Sequence, residues 1–283
     1  SFLRILLVQF HYKYVFKFFD YFCKKKFLIT TSDIFSISGQ KQFEKIALKV
    51  FRFQYENNLV YKKFCDLLKT DVQKVKSLQQ IPFLPIQFFK SHEVVSNTNP
   101  VQEIFISSGT TGMITSKHLV TLYEESFRKG FSEFYGTIED YVVLALLPSY
   151  LEREGSSLIY MVKDLIELSN QPESGFYLHS HDELIAKLIA LDQAGQNVIL
   201  IGVTFALLDL IEQHQFQLQQ TIIMETGGMK GKRKEMIREE LHEKLCKGFG
   251  VSAIHSEYGM TELLSQAYSL GNGVFECPSW MQI

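Results

Sequence analysis

Glu183-Leu184-Ile185-Ala186-Lys187-Leu188-Ile189-Ala190-Leu191-Asp192-Gln193-Ala194 is closed by Gly195 and followed almost at once by Asn197-Val198-Ile199-Leu200-Ile201. The first part carries apolar residues at helical spacing, and glycine is the usual residue just past a helix end. The second is an apolar run without polar alternation, the pattern of a strand covered on both faces. The same pairing recurs on either side. Tyr141 to Leu147 (YVVLALL) is a buried-strand candidate stopped by Pro148, and Ser156 to Leu168 reads as a helix. Phe205 to Gln213 is helical, Thr221 to Met224 a short strand, and Lys234 to Lys247 a charged amphipathic helix. Val251-Ser252-Ala253-Ile254 then leads to another strand. Apolar strands separated by helices predict an α/β fold with layered, mostly parallel sheets and flanking helices.

Further toward the N-terminus, Ser38 is the expected N-cap of a helix over Gln42 to Tyr55, and Val60 to Leu68 reads as a second, short helix. Ile81-Pro82-Phe83-Leu84-Pro85-Ile86 is expected to be extended, because each proline biases its predecessor away from helix. Residues 1–33 are aromatic and lysine-dotted. Charges break the apolar run well short of the roughly twenty residues that a membrane span needs. They are read as an extraneous or weakly ordered extension, and residues 34–283 as the domain proper.

Bulk properties narrow the function. A chain of 283 residues with 46% hydrophobic and 21% charged residues can bury a full core. A net charge of −2 gives no electrostatic footprint for nucleic acid or an anionic membrane surface. The 24 phenylalanines suit thick cores and apolar pockets. Cys23, Cys65, Cys246 and Cys277 form no CxxC pair, which fits buried thiols and a cytoplasmic location. His179 and His181 have no third ligand placed to join them and are read as polar loop residues.

Three loops carry chemistry. Ser107-Ser108-Gly109-Thr110-Thr111-Gly112, with Lys117 close behind, follows the β-type run Gln102 to Ile106. Glycines bring backbone N–H groups close to an anion, hydroxyls add donors, and the lysine adds charge. The loop therefore reads as a triphosphate clamp, although its spacing is not that of the P-loop. The other reading is a Ser/Thr/Gly-rich surface turn between two strands. Glu225-Thr226-Gly227-Gly228-Met229-Lys230-Gly231 follows the strand ending at Met224, and its paired glycines could admit a flat ring against the backbone. In Ser256-Glu257-Tyr258-Gly259-Met260-Thr261-Glu262, Tyr258 offers a ring to a base and Gly259 a close approach. Thr261 offers a hydroxyl to phosphate, and Glu262 a hard oxygen to Mg2+. The competing reading makes Thr261 the cap of a helix over Leu263 to Tyr268.

Together, SSGTTG…SKH, ETGGMKG and EYGMTE resemble the adenylate-forming superfamily of acyl-CoA synthetases, peptide-synthetase adenylation domains and luciferases. More narrowly, Phe43 to Tyr61, Ile81 to Val94 and SSGTTGMITSKH resemble the LuxE-type acyl-protein synthetases, which are related to phenylacetate-CoA ligases. The resemblance implies the large N-terminal domain of the adenylate-forming fold. It also implies ATP-dependent activation of a carboxylic, fatty acid to an acyl-adenylate, then transfer to a protein thiol. Transfer to coenzyme A is the alternative, and a non-catalytic nucleotide-binding fragment is an alternative of another class. The implied cofactors are ATP and Mg2+, and the implied partners are the acyl-transferase and reductase of a fatty-acid reductase complex.

By the same resemblance, Ser107, Ser108, Gly109, Thr110, Thr111 and Gly112 surround the β- and γ-phosphates, assisted by Lys117. That lysine stands one or two places later than the usual one. Gly227, Gly228 and Met229 line the adenine and carboxylate pocket, Tyr258 with Gly259 meets adenine, Thr261 contacts the α-phosphate, and Glu262 holds Mg2+. Pro148 to Ser157, with Phe176 or Phe205, is a candidate wall of the acyl pocket or simply loop and core. The superfamily normally continues with a ribose-binding aspartate and a small C-terminal domain bearing a catalytic lysine, and acyl-protein synthetases carry the acyl group on a C-terminal cysteine. None is found here, so the expectation is a chain incomplete at its C-terminus, with Cys277 a packing residue.

Overall fold

A computed structural model describes residues 29–96, 103–107, 114–118, 120–148, 155–178, 181–227, 233–234 and 236–283. They fall into two units. The first is built from residues up to Ser126 together with Thr261–Ser265 and Cys277–Ile283, the second from Phe127–Met260 and Gln266–Glu276.

In the first unit the leading elements are helices: α1 (Thr31–Phe35), α2 (Gln40–Asn57), α3 (Leu59–Leu67) and the single turn α4 (Phe88–Ser91). Thr30 and Asp33 close a capping box at the start of α1. Phe43, Ile46, Ala47, Val50 and Phe51 form the buried stripe of α2, at the spacing the sequence predicts. The cap differs from expectation. Gly39 occupies the N-cap of α2, and it is the Gln42 side chain that reaches back to accept from the Ser38 N–H at 3.1 Å. The prolyl segment is extended as expected, and the Pro82 carbonyl accepts from Tyr61 Oη at 2.7 Å. Strands β1 (Glu103–Ser107) and β2 (Ile114–His118) pair antiparallel, with Ser107 opposite Ile114. Phe105 packs edge-on against Tyr123 of α5 (Val120–Tyr135), ring centroids 5.5 Å apart. Trp280 closes this unit. Its Nε1 donates to Ser126 Oγ at 3.2 Å and to Ser265 Oγ at 3.0 Å, and Phe35 meets its ring edge-on at 4.9 Å.

The second unit contains a sheet of β3 (Val142–Leu146), β4 (Gly175–Phe176), β5 (Val198–Val203), β6 (Thr221–Thr226), β7 (His255–Tyr258) and β8 (Ala267–Ser269). Its spatial order is β4-β3-β5-β6-β7-β8, parallel throughout except for the antiparallel β7–β8 pair. Every residue of β3 and β5 is buried. Helices α6 (Ser157–Ser169), α7 (His181–Gln193), α8 (Thr204–Gln213) and α9 (Arg238–Phe249) flank it. This is the α/β architecture, with a mostly parallel sheet, that the sequence predicts. Asp192 at the end of α7 pins the entry to β6 by accepting from the backbone of Gln219 and Gln220 and from the Thr221 hydroxyl.

Several boundaries depart from expectation. Strand β6 runs two residues past Met224, because the side chains of Glu225 and Thr226 are buried and hydrogen-bonded rather than turned to solvent. Ser256, Glu257 and Tyr258 are strand, not loop. Helix α9 starts at Arg238, four residues after Lys234. Glu239 and Glu240 then occupy its first turn, where acidic charge suits the helix N-terminus better than lysine does. Leu263 to Tyr268 is not a helix. It turns through Thr261–Leu264 and returns as β8, with Ala267 opposite Tyr258, so Thr261 has no helix there to cap. His181 opens α7 instead of lying in a loop, while His179 lies outside the described residues.

Helices α8 and α9 pack closely enough that a Cβ on Gly248 would stand 2.6 Å from Ile211 Cβ. Gly248→Ala is therefore expected to cost about 1–3 kcal/mol by overpacking. Urea unfolding followed by circular dichroism measures it. Ile211→Ala in the same background should give a combined loss smaller than the sum of the two single losses.

Candidate functional site

Parallel β6 and β7 end side by side, Thr226 opposite Glu257, and ligands of open α/β sheets gather at such carboxyl ends. Period-two alternation sorts the polar side chains onto two faces. Glu225 and its partner Ser256 share one face, Thr226 and Glu257 the other.

On the first face the Glu225 carboxylate is 4% exposed and gathers donors from several elements. Ser256 Oγ donates to Oε1 at 2.9 Å and Arg238 from the start of α9 at 3.0 Å, while Thr204 from the start of α8 reaches Oε2 at 3.3 Å. His242 Nε2 lies 3.6 Å from Oε1. Thr204 Oγ1 also lies 3.2 Å from the carbonyl oxygen of Gly227, which it can serve as donor. Gly227 has φ 74°, the left-handed region that favours glycine. The Arg238 guanidinium lies over the Phe275 ring at 5.0 Å, and Phe275 meets Tyr258 edge-on at 6.0 Å.

On the other face Thr226 donates to Glu257 Oε2 at 2.7 Å. Burial pushes the Glu257 carboxyl up to about 7; the nearby Glu225 charge adds to the rise and the Thr226 hydrogen bond opposes it. Tyr135 of α5 holds His255 Nδ1 at 3.2 Å, and burial lowers the pKa of that imidazole. Gly259 follows at once. A Cβ there would stand 2.6 Å from Glu257 Oε1, so a side chain at this position would have to displace the Glu257 carboxyl.

Of the residues singled out in the sequence, this unit holds Gly227, Tyr258 and Gly259 at the two strand ends, while Gly228 and Met229 lie outside the described residues. The first unit holds the others. Ser107 ends β1 and Lys117 lies in β2, paired with Ile104, and Ser108, Gly109, Thr110, Thr111 and Gly112 lie outside the described residues. Thr261 and Glu262 occupy the turn whose end, Ser265, is tied by Trp280. Glu262 is 4% exposed. Burial raises its carboxyl above the ordinary range, while its own backbone N–H and the charge of Lys90 draw it back. Phe205 is buried in α8 and Phe176 half-buried in β4; residues 149–154 of the candidate acyl wall lie outside the description. Burial raises the Cys277 thiol, as expected of a packing cysteine. Sequence reasoning missed Thr204, Arg238 and His242, whose positions on helix starts and faces carry no local signal.

Among the described residues, no group of three or more His, Cys, Asp or Glu is placed to hold a metal ion, and no helix is long and apolar enough to cross a membrane.

The fold has a counterpart among solved structures. It is similar to an open conformation of 2-hydroxyisobutyryl-CoA ligase in complex with 2-HIB-AMP and CoA, with a TM-score of 0.53 at 11% identity over 78% of this chain and 50% of that one. Residues 23–131 match the model of one family, acyl-protein synthetase, LuxE. The chain is similar to the long-chain-fatty-acid–luciferin-component ligase of Vibrio harveyi, 26% identical over 238 residues (77% of this chain). It is also similar to that of Photorhabdus luminescens, 32% identical over 75 residues (26% of this chain). It spans 62% and 64% of the lengths of these two relatives.

Because folding raises the Glu257 pKa above its ordinary 4.5, the folded state binds this proton more tightly than the unfolded chain. The stability so gained is full below pH 4.5 and is lost as pH rises through 7. The loss is of order 3 kcal/mol. Glu257→Gln keeps the shape and removes the charge. Thermal melts from pH 5 to 8 should show the variant gaining on wild type as pH rises. A constant difference across that range would refute the assignment; the His255 contribution, common to both proteins, cancels.

Proposed function

We propose that this chain carries the adenylating part of an acyl-protein synthetase: it activates a fatty acid with ATP, for transfer to a protein thiol. The observation that carries the reading is the set of three ordered motifs, two of which lie at the ends of adjacent parallel strands, β6 and β7. The match of residues 23–131 to the acyl-protein synthetase family and the long-chain fatty acid in the names of both relatives support it.

In the proposed chemistry a carboxylate oxygen of the acid attacks the α-phosphorus of ATP. A P–O bond forms, the α–β bridging P–O bond breaks, and pyrophosphate leaves with the electron pair. A thiolate sulfur then attacks the acyl carbonyl and AMP leaves. Such a site chiefly positions its reactants and offsets developing charge. Ser107, Ser108, Gly109, Thr110, Thr111 and Gly112 serve the β- and γ-phosphates with Lys117, and Thr261 serves the α-phosphate. Gly227, Gly228, Met229 and Gly259 admit adenine and Tyr258 stacks on it.

Glu262 fits Mg2+. A buried carboxyl with a raised pKa regains charge compensation from a cation, and Mg2+ is usually held by one or two carboxylates plus substrate phosphates. When bound, the ion neutralises the phosphate charge that develops during the displacement. An acyl-transferase and a reductase are the proposed neighbours in the reaction sequence.

Glu262→Gln should lower fatty-acid-dependent ATP–pyrophosphate exchange by about two orders of magnitude. Exchange at the wild-type rate in that variant would remove Glu262 from the mechanism. Labelled acyl that stays on protein supports the thiol-protein acceptor, and release that requires coenzyme A supports a CoA ligase instead.

A further inference from the structure

Glu225 stands out among the buried groups that the proposed chemistry does not use. Its carboxylate is 4% exposed, yet it draws together the start of α8, the start of α9 and strand β7. Buried ion pairs are weak stabilisers, and apolar replacements of similar volume are often as stable. A network of this kind at the carboxyl ends of parallel strands is better explained by the geometry it imposes. That geometry leads to two places. At the end of β6 the Thr204 hydroxyl lies within hydrogen-bond reach of both the Glu225 carboxylate and the Gly227 carbonyl, which share its one proton. Through Ser256 and Arg238 the network reaches Tyr258: Ser256 is two residues before it on the same face, and Arg238 lies over Phe275, which meets the tyrosine edge-on. Arg238 is held from both sides, because its NH1 donates to Ser256 Oγ at 3.0 Å as well as to Glu225.

We propose that Glu225 is a positioning residue for the purine end of a bound nucleotide, fixing the Gly227 turn and the Tyr258 ring by way of Thr204, Ser256 and Arg238. The proposal rests on the reading that Gly227 and Tyr258 receive adenine. Glu225 touches no reacting atom in it. Its effect falls on recognition of the base and not on the phosphates.

The test is titration of the folded chain with ATP, AMP and inorganic pyrophosphate, each with Mg2+, by calorimetry. Wild type, Glu225→Gln and Thr204→Val are compared. Glu225→Gln should weaken ATP and AMP about tenfold, the loss of a little over 1 kcal/mol of orientation, and leave pyrophosphate unchanged. Thr204→Val removes the hydroxyl that faces both Glu225 and the Gly227 carbonyl and should weaken the two adenine nucleotides severalfold, again sparing pyrophosphate. In exchange assays the change should appear in KM for ATP and not in kcat. Unchanged ATP affinity in either folded variant overturns the proposal. Equal weakening of ATP and pyrophosphate also overturns it, since that is what general structural damage produces. If Glu225→Gln does not fold, Thr204→Val decides alone. Wild type that binds no adenine nucleotide overturns the underlying reading, and this proposal with it.

Discussion

The full burial of β3 and β5 on both faces is the constraint on which the second unit depends. Parallel strands need helices on both sides, so each strand must be joined to the next by a crossover. No polar group is tolerated in the middle of such a strand without a partner. Polar residues are thereby pushed to the carboxyl ends, where the crossovers begin. Glu225, Thr226, Ser256 and Glu257 all lie there, and all are buried. Fold and site follow from one physical demand: an apolar middle forces the chemistry to the rim.

The middle was readable from sequence for the same reason. YVVLALL and NVILI show no alternation, and a strand covered on both faces is the economical explanation for that. The rim was not readable. Glu225 and Thr226 look like loop residues in one dimension, because nothing in the sequence announces that Ser256, Thr204 and Arg238 converge on that carboxylate from positions 13 to 31 residues away. Leu263 to Tyr268 has helical spacing of its apolar residues. Antiparallel pairing with β7 prevails, and Ala267 and Tyr258 become cross-strand partners. Local pattern gave way to tertiary pairing at the places where ligand chemistry is expected.

In the first unit the legible features were α2, α3 and the prolyl segment, whose apolar spacing and prolines act locally. Trp280 was not legible as an anchor. Its indole N–H serves Ser126 and Ser265, which lie 154 and 15 residues away. A buried indole needs a partner for that N–H. Here the partner on one side is the segment carrying Thr261 and Glu262, so an ordinary packing requirement fixes a segment of chemical interest.

The two carboxyl groups at the end of the parallel sheet make the final point. Glu225 and Glu257 stand on neighbouring strands one register step apart, which places them on opposite faces. Glu225 has an arginine and two hydroxyls as donors, whereas Glu257 has one hydroxyl, that of Thr226. Environment separates them, with Glu257 pushed up to about 7 by burial and by the Glu225 charge itself. An alternation of period two, which first served to build the sheet, thus also assigns different electrostatic roles to neighbouring acids.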